Sequence, residues 1–71
     1  MDKIHLSVII PAYNEEKRIA ATLLDIDKYL RQQNYDYEII VVSDGSTDNT
    51  VSVVRNLKSQ ISNLKIIDNK E

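Results

Sequence analysis

The stretch that most constrains this chain is Ser7–Glu16, which reads SVIIPAYNEE. An apolar, β-branched run stops at Pro11, a short polar loop follows, and a helical pattern starts beyond it. Leu6–Ile10 is nearly continuous in apolar residues, as expected of a strand buried on both faces. Pro11 has no N–H to offer a sheet ladder, so the strand is expected to end there. Asn14 is a good cap for the helix that follows, with Glu15 and Glu16 in its first turn, where the helix dipole favours negative charge. Ligands of open parallel α/β sheets bind outside the carboxyl ends of the strands. The loop Pro11–Glu15 is therefore expected on the rim of any small-molecule site.

The rest of the chain repeats this grammar. Ile19, Leu23, Ile26 and Leu30 recur at helical spacing, and Ala20 and Leu24 widen the stripe, which predicts an amphipathic helix of about four turns. Gln32–Asp36 has no apolar rhythm and reads as a return loop. Tyr35 and Tyr37 are expected to close the bottom of the core with their hydroxyls in water. Glu38–Val42 (EIIVV) places four β-branched residues in a row, the mark of a central parallel strand. Ser43–Asp48 is a polar loop around Gly45, with Ser46, Thr47 and Asp48 as turn and capping residues. A second helix is expected from about Asn49 to Gln60, and a third short strand over Leu64–Ile67. Strand, helix, strand, helix, strand means a parallel sheet with right-handed crossovers. If both crossovers step the same way, both helices cover one face and the other face is left bare.

A chain of 71 residues makes one small domain at most, and a domain of that size buries roughly 60% of its unfolded surface. With one sheet face bare, one Gly and one Pro, the chain reads as part of something larger. By itself it is expected to fold loosely or to self-associate through the uncovered face. The net charge of −2, without a block of like charge, argues against a nucleic-acid surface or a polybasic membrane patch. Without cysteine there is neither a disulfide framework nor a thiolate metal site. The apolar run near the N-terminus is too short for a signal-peptide core or a membrane span. His5, the sole histidine, has no acid or metal partner visible in the sequence and reads as structural or exposed.

Both loops bear on chemistry. G-x-x-x-x-G-K-[ST] is absent, and so is G-x-G-x-x-G after the first strand. Pro11-Ala12-Tyr13-Asn14 offers an aromatic face and backbone groups instead of glycine-cleared amides, which suits a base better than a phosphate. Asp44 ends the central strand, and an ionised carboxylate only accepts hydrogen bonds. Uracil and guanine present a ring N–H where cytosine and adenine present a bare ring nitrogen, so a carboxylate there favours uridine or guanosine nucleotides. Two structural readings stand beside these: Asp44 as an Asx-turn residue before Gly45, and Tyr13 as a ring packed over the strand end. Glu15 and Glu16 are first-turn helix residues by default.

SVIIPAYNEE followed by EIIVVSDGSTDNT resembles the N-terminal part of family 2 glycosyltransferases, the inverting enzymes of GT-A fold. Within that family it is most similar in style to the dolichyl- and polyprenyl-phosphate glycosyltransferases. The resemblance implies that residues 1–71 are an incomplete nucleotide-sugar-binding domain, the βαβαβ N-terminal half of a Rossmann-like α/β fold. It implies that Pro11, Ala12 and Tyr13 hold the nucleotide base, that Glu15 approaches base or ribose, and that Asp44 hydrogen-bonds the base. Many members carry two aspartates before Gly-Ser; here the first is Ser43. The reaction implied is transfer of a hexose from a UDP- or GDP-sugar to a lipid-phosphate or glycan acceptor, at the cytoplasmic membrane face. A general base activates the acceptor, and Mg²⁺ or Mn²⁺ neutralises the leaving diphosphate. The family's D-x-D metal motif is not found; Asp25-Ile26-Asp27 has the letters but sits inside the amphipathic helix. No catalytic residue is expected in this chain, so by itself it is expected to be inactive. The alternative reading is a βαβαβ nucleotide-binding or interaction module without catalysis. A response-regulator-like domain is disfavoured, because Asp44 has no acidic neighbour in the first loop except Glu15 and Glu16, and no placed lysine.

Overall fold

Strands and helices alternate along the chain in the computed structural model, which describes residues 5–45 and 47–69. They run β1 (His5–Ala12), α1 (Ile19–Arg31), β2 (Asp36–Asp44), α2 (Thr50–Leu57) and β3 (Leu64–Asn69). The three strands form one parallel sheet in the order β1-β2-β3, with β2 in the centre as its β-branched run predicts. Both crossovers therefore step the same way, and both helices pack on one face.

Alternation along the strands separates two faces. Toward the helices point Ala12 from β1, Ile39 and Val41 from β2 and Leu64 from β3, all buried, against Ile19, Leu23 and Leu30 of α1 and Val54 and Leu57 of α2. Ile61, 1% exposed, closes this core from the turn after α2. Leu23 is fully buried at its centre, where truncation to alanine typically costs roughly 2–5 kcal/mol. The other face carries Ile9, Ile40, Val42 and Ile67. Nothing in the described residues covers it, and Ile9 is 56% and Ile67 49% exposed.

Several expectations are corrected. β1 is not buried on both faces; it is an edge strand, with Leu6 and Ile9 exposed. For the same reason it does not stop before Pro11 but continues through Ala12, with Pro11 opposite Val42; an edge strand has one side on which no N–H is needed. Asn14 does not cap α1. The helix starts at Ile19, after a turn in which the Glu15 carbonyl accepts from the Arg18 and Ile19 N–H groups. Asn14 instead adopts a left-handed conformation, φ 50°, which Asn tolerates better than most residues. Glu15 and Glu16 accordingly lie before the helix, not in its first turn. α2 ends at Leu57 rather than near Gln60, because the chain turns to bring Ile61 down onto the core. Ser46 lies outside the described residues.

The base of the sheet holds a polar cluster that periodicity did not announce. Asp27, 3% exposed, sits on the buried side of α1. Tyr37 Oη donates to its Oδ1 at 2.5 Å, and Arg31 Nε and Nη2 donate to its Oδ2 at 3.1 and 2.5 Å. Burial alone would raise the Asp27 carboxyl, but these hydrogen bonds outweigh it and hold the group below its ordinary range. The Tyr37 hydroxyl is thus bonded inside the protein, not left in water. Asp25 and Asp27, two residues apart, point to different sides of the helix, so the D-I-D triplet is no metal motif. His5 also gains a partner: its Nε2 lies 3.4 Å from Glu38 Oε2 across the open face. Ser7 and Lys65 donate to the same carboxylate at 2.6 and 2.8 Å. Among the described residues no helix is long and apolar enough to cross a membrane.

Candidate functional site

At the carboxyl ends of the three strands lies an open cleft of about 550 Å³. All five residues singled out in the sequence line it: Pro11, Ala12, Tyr13, Glu15 and Asp44. Val42 and Asn69 complete the wall. Val42 follows from the strand parity that exposes Asp44. Asn69 could not be foreseen, because β3 was expected to end at Ile67 and instead runs on to Asn69.

The position of each residue follows from local structure. Pro11 and Ala12 are the last residues of β1, paired with Val42 and Ser43. Ala12 is buried under the helices, while Pro11 faces the open side. Tyr13 is the first residue beyond the strand; it is 60% exposed and lines the cleft, so it is not packed into the core. Asp44 ends β2 on the open face. Ser43, one residue earlier, points the opposite way and is fully buried. Ser43, where the resemblance leads one to expect an aspartate, therefore does not face the cleft. Gly45 turns the chain with φ +76°, and its N–H donates to the Asn69 carbonyl at 3.0 Å. A Cβ there would meet nothing within 4 Å, so glycine is required by conformation and not by space. The Glu15 carboxylate lines the cleft but also holds Arg18, whose Nη2 donates to it at 2.5 Å.

The two loops are laced together by hydrogen bonds that sequence spacing could not reveal. Asn14 Oδ1 accepts the Thr47 N–H at 2.8 Å and the Asp48 N–H at 3.4 Å. In the other direction, the fully buried Thr50 accepts the Glu15 N–H on its hydroxyl at 2.8 Å. The Asp48 carboxylate accepts from the Glu16 N–H at 3.3 Å, the Thr50 N–H at 3.0 Å and the Thr50 hydroxyl. Glu16 Oε1 accepts the Asn49 N–H at 3.3 Å. Desolvation would raise the Asp48 carboxyl, but the donors from Thr50 and Glu16 hold it below its ordinary range. Tyr13 and Asp44 thus border two loops whose relative position is fixed from both sides. Asn49, not Thr47 or Asp48, is the N-cap residue of α2; Thr47 lies in the turn, and Asp48, which accepts the Thr50 N–H, also reaches across to the first loop.

Among the described residues no three His, Cys, Asp or Glu side chains converge into a set that could hold a metal ion. A second hollow, of about 420 Å³, lies at the opposite end of the strands around Asp27, Arg31 and Tyr37. Its charged groups are already bonded to one another.

The sequence model of glycosyl transferase family 2 matches residues 7–71. A dolichyl-phosphate beta-glucosyltransferase of Dictyostelium discoideum is 38% identical over 78 residues, covering 100% of this chain and 24% of that protein. The dolichyl-phosphate beta-glucosyltransferase of Drosophila melanogaster is 53% identical over 55 residues, 70% of this chain and 17% of its own length. A chondroitin synthase of Escherichia coli is 39% identical over 66 residues, 93% of this chain and 9% of its own. The chain thus spans about a quarter or less of the curated relatives it matches. With the family match running over nearly all its residues, this chain belongs to glycosyl transferase family 2.

Proposed function

We propose that the cleft at the strand ends binds the base of a nucleotide-sugar donor, and that residues 1–71 are the nucleotide-binding part of an inverting hexosyltransferase. The observation that carries this reading is the gathering of Pro11, Ala12, Tyr13, Glu15 and Asp44 around one cleft. Tyr13 lays its exposed ring against the base, and Pro11 and Ala12 contribute backbone contacts. Asp44 accepts the ring N–H of uracil or guanine, which selects a UDP- or GDP-sugar. Glu15 stands near the ribose.

The names of several relatives support a polyprenyl phosphate as acceptor; access from the cytoplasmic face of a membrane is part of the same proposal and rests on the expected acceptor alone. Among the described residues no His, Cys, Asp or Glu set converges on a metal ion, and on this reading the Mg²⁺ or Mn²⁺ expected on the donor diphosphate, like the general base, is held by side chains other than these. On this reading the chain alone transfers nothing. Transfer of a labelled hexose from UDP- or GDP-hexose to a polyprenyl phosphate, by the protein that carries this chain, tests the reading. Transfer is expected from one of the two donors; its absence with every nucleotide sugar contradicts the proposal.

A further inference from the structure

We infer that Asn69 is a specificity-determining residue of the cleft, reading the base carbonyl beside the N–H that Asp44 accepts. This rests on the reading of the cleft as a base site. Asp44 and Asn69 are register partners on β2 and β3, on strands about 4.8 Å apart. Both end their strands on the open face, and both line the cleft. The Gly45 N–H bonded to the Asn69 carbonyl at 3.0 Å fixes the backbone that joins them.

The pair offers a defined pattern. The Asp44 carboxylate only accepts. An acceptor-only neighbour favours the orientation of the Asn69 carboxamide that turns its NH₂ toward Asp44, leaving one N–H for a ligand. The wall therefore presents an acceptor beside a donor. Uracil answers with N3–H beside O4, and guanine with N1–H beside O6. Cytosine and adenine present the reverse, a bare ring nitrogen beside an amino group, and meet like against like at both positions. Asp44 alone rejects them through one contact; Asn69 makes the rejection two-fold.

Calorimetric titration of UDP, CDP, GDP and ADP into the protein that carries this chain, with far-UV circular dichroism to verify folding, tests this. The wild type is expected to bind UDP or GDP above CDP and ADP. Asn69→Leu is expected to weaken the preferred nucleotide about fivefold to tenfold, the loss typical of one neutral hydrogen bond. Asn69→Asp sets a second acceptor against the carbonyl and weakens it further. The exchange Asp44→Asn with Asn69→Asp inverts the pattern and is expected to move the preference from UDP to CDP, or from GDP to ADP. Wild-type affinity in Asn69→Leu and Asn69→Asp, or an exchanged variant that binds with the original preference, overturns the role of Asn69 and leaves the base site standing. Failure of the folded wild type to bind any of the four overturns both.

Discussion

Replacing Thr50 by valine tests the lacing of the two loops with little change of shape. The Thr50 hydroxyl accepts the Glu15 N–H at 2.8 Å and donates to Asp48, and the side chain is fully buried. Valine keeps the branch at Cβ and loses both bonds. The Glu15 amide is then left part-buried without its acceptor, which costs about 1–3 kcal/mol. The Asp48 carboxylate can turn to water, so it adds nothing to this sum. A loss of about 2 kcal/mol is expected, roughly a thirtyfold fall in the ratio of folded to unfolded chain at 1.4 kcal/mol per tenfold. Thr50→Ser retains the hydroxyl and gives up one buried methyl, for about 1 kcal/mol. Urea denaturation followed by circular dichroism checks both, and the order matters more than the values. Valine is expected to be the more harmful change. A valine variant as stable as the wild type, or a serine variant less stable than the valine one, refutes the view that the hydroxyl holds the loops.

Other consequences follow from the same structure. Gly45→Ala forces a side chain into φ +76° and is expected to cost about 1–2 kcal/mol, visible as a lower urea midpoint. Donors from Lys65, Ser7 and His5 lower the Glu38 carboxyl from 4.5 to about 2. Its folded pKa lies below its unfolded one, so its stabilisation is complete above the unfolded value and is lost as pH falls toward 2. Stability measured between pH 5 and 2 is expected to fall more steeply in the wild type than in Glu38→Gln; equal slopes contradict the cluster. Exposed Ile9 and Ile67 on the open face are expected to drive self-association of the chain. Sedimentation is expected to show smaller species for Ile9→Lys with Ile67→Lys than for the wild type, and a wild type that stays monomeric at high concentration contradicts this.

The fold was legible because its signals are periodic. Glu38–Val42 reads as a central strand, and the stripe from Ile19 to Leu30 reads as a helix. Five of the residues that line the cleft, Pro11, Ala12, Tyr13, Glu15 and Asp44, were legible too, because they lie at or just beyond strand ends, where topology brings loops together. What escaped was set by partners distant in sequence. Asn14 looks like a helix cap when only its neighbours are considered, yet its carboxamide is taken by Thr47, which the chain supplies thirty-three residues later. Asp27 falls in the helix beside the apolar stripe, and nothing in its spacing announces that Tyr37 and Arg31 satisfy it in a buried position. His5 has no partner that the sequence pattern announces, and meets Glu38 because β1 and β2 pair in parallel register. Asn69 joins the cleft because β3 runs two residues beyond its apolar core, an extension fixed by pairing with β2 and not by side-chain pattern.

The central claim is that Tyr13 and Asp44 face one bound base. Two-dimensional NMR of the isotope-labelled chain during titration with UDP or GDP addresses it most directly. The account predicts shifts concentrated at Ala12, Tyr13, Glu15, Asp44 and Gly45, saturating with concentration and abolished by Asp44→Ala. Shifts centred on Asp27, Arg31 and Tyr37 at the other end of the strands, or a response unchanged by Asp44→Ala, would contradict it.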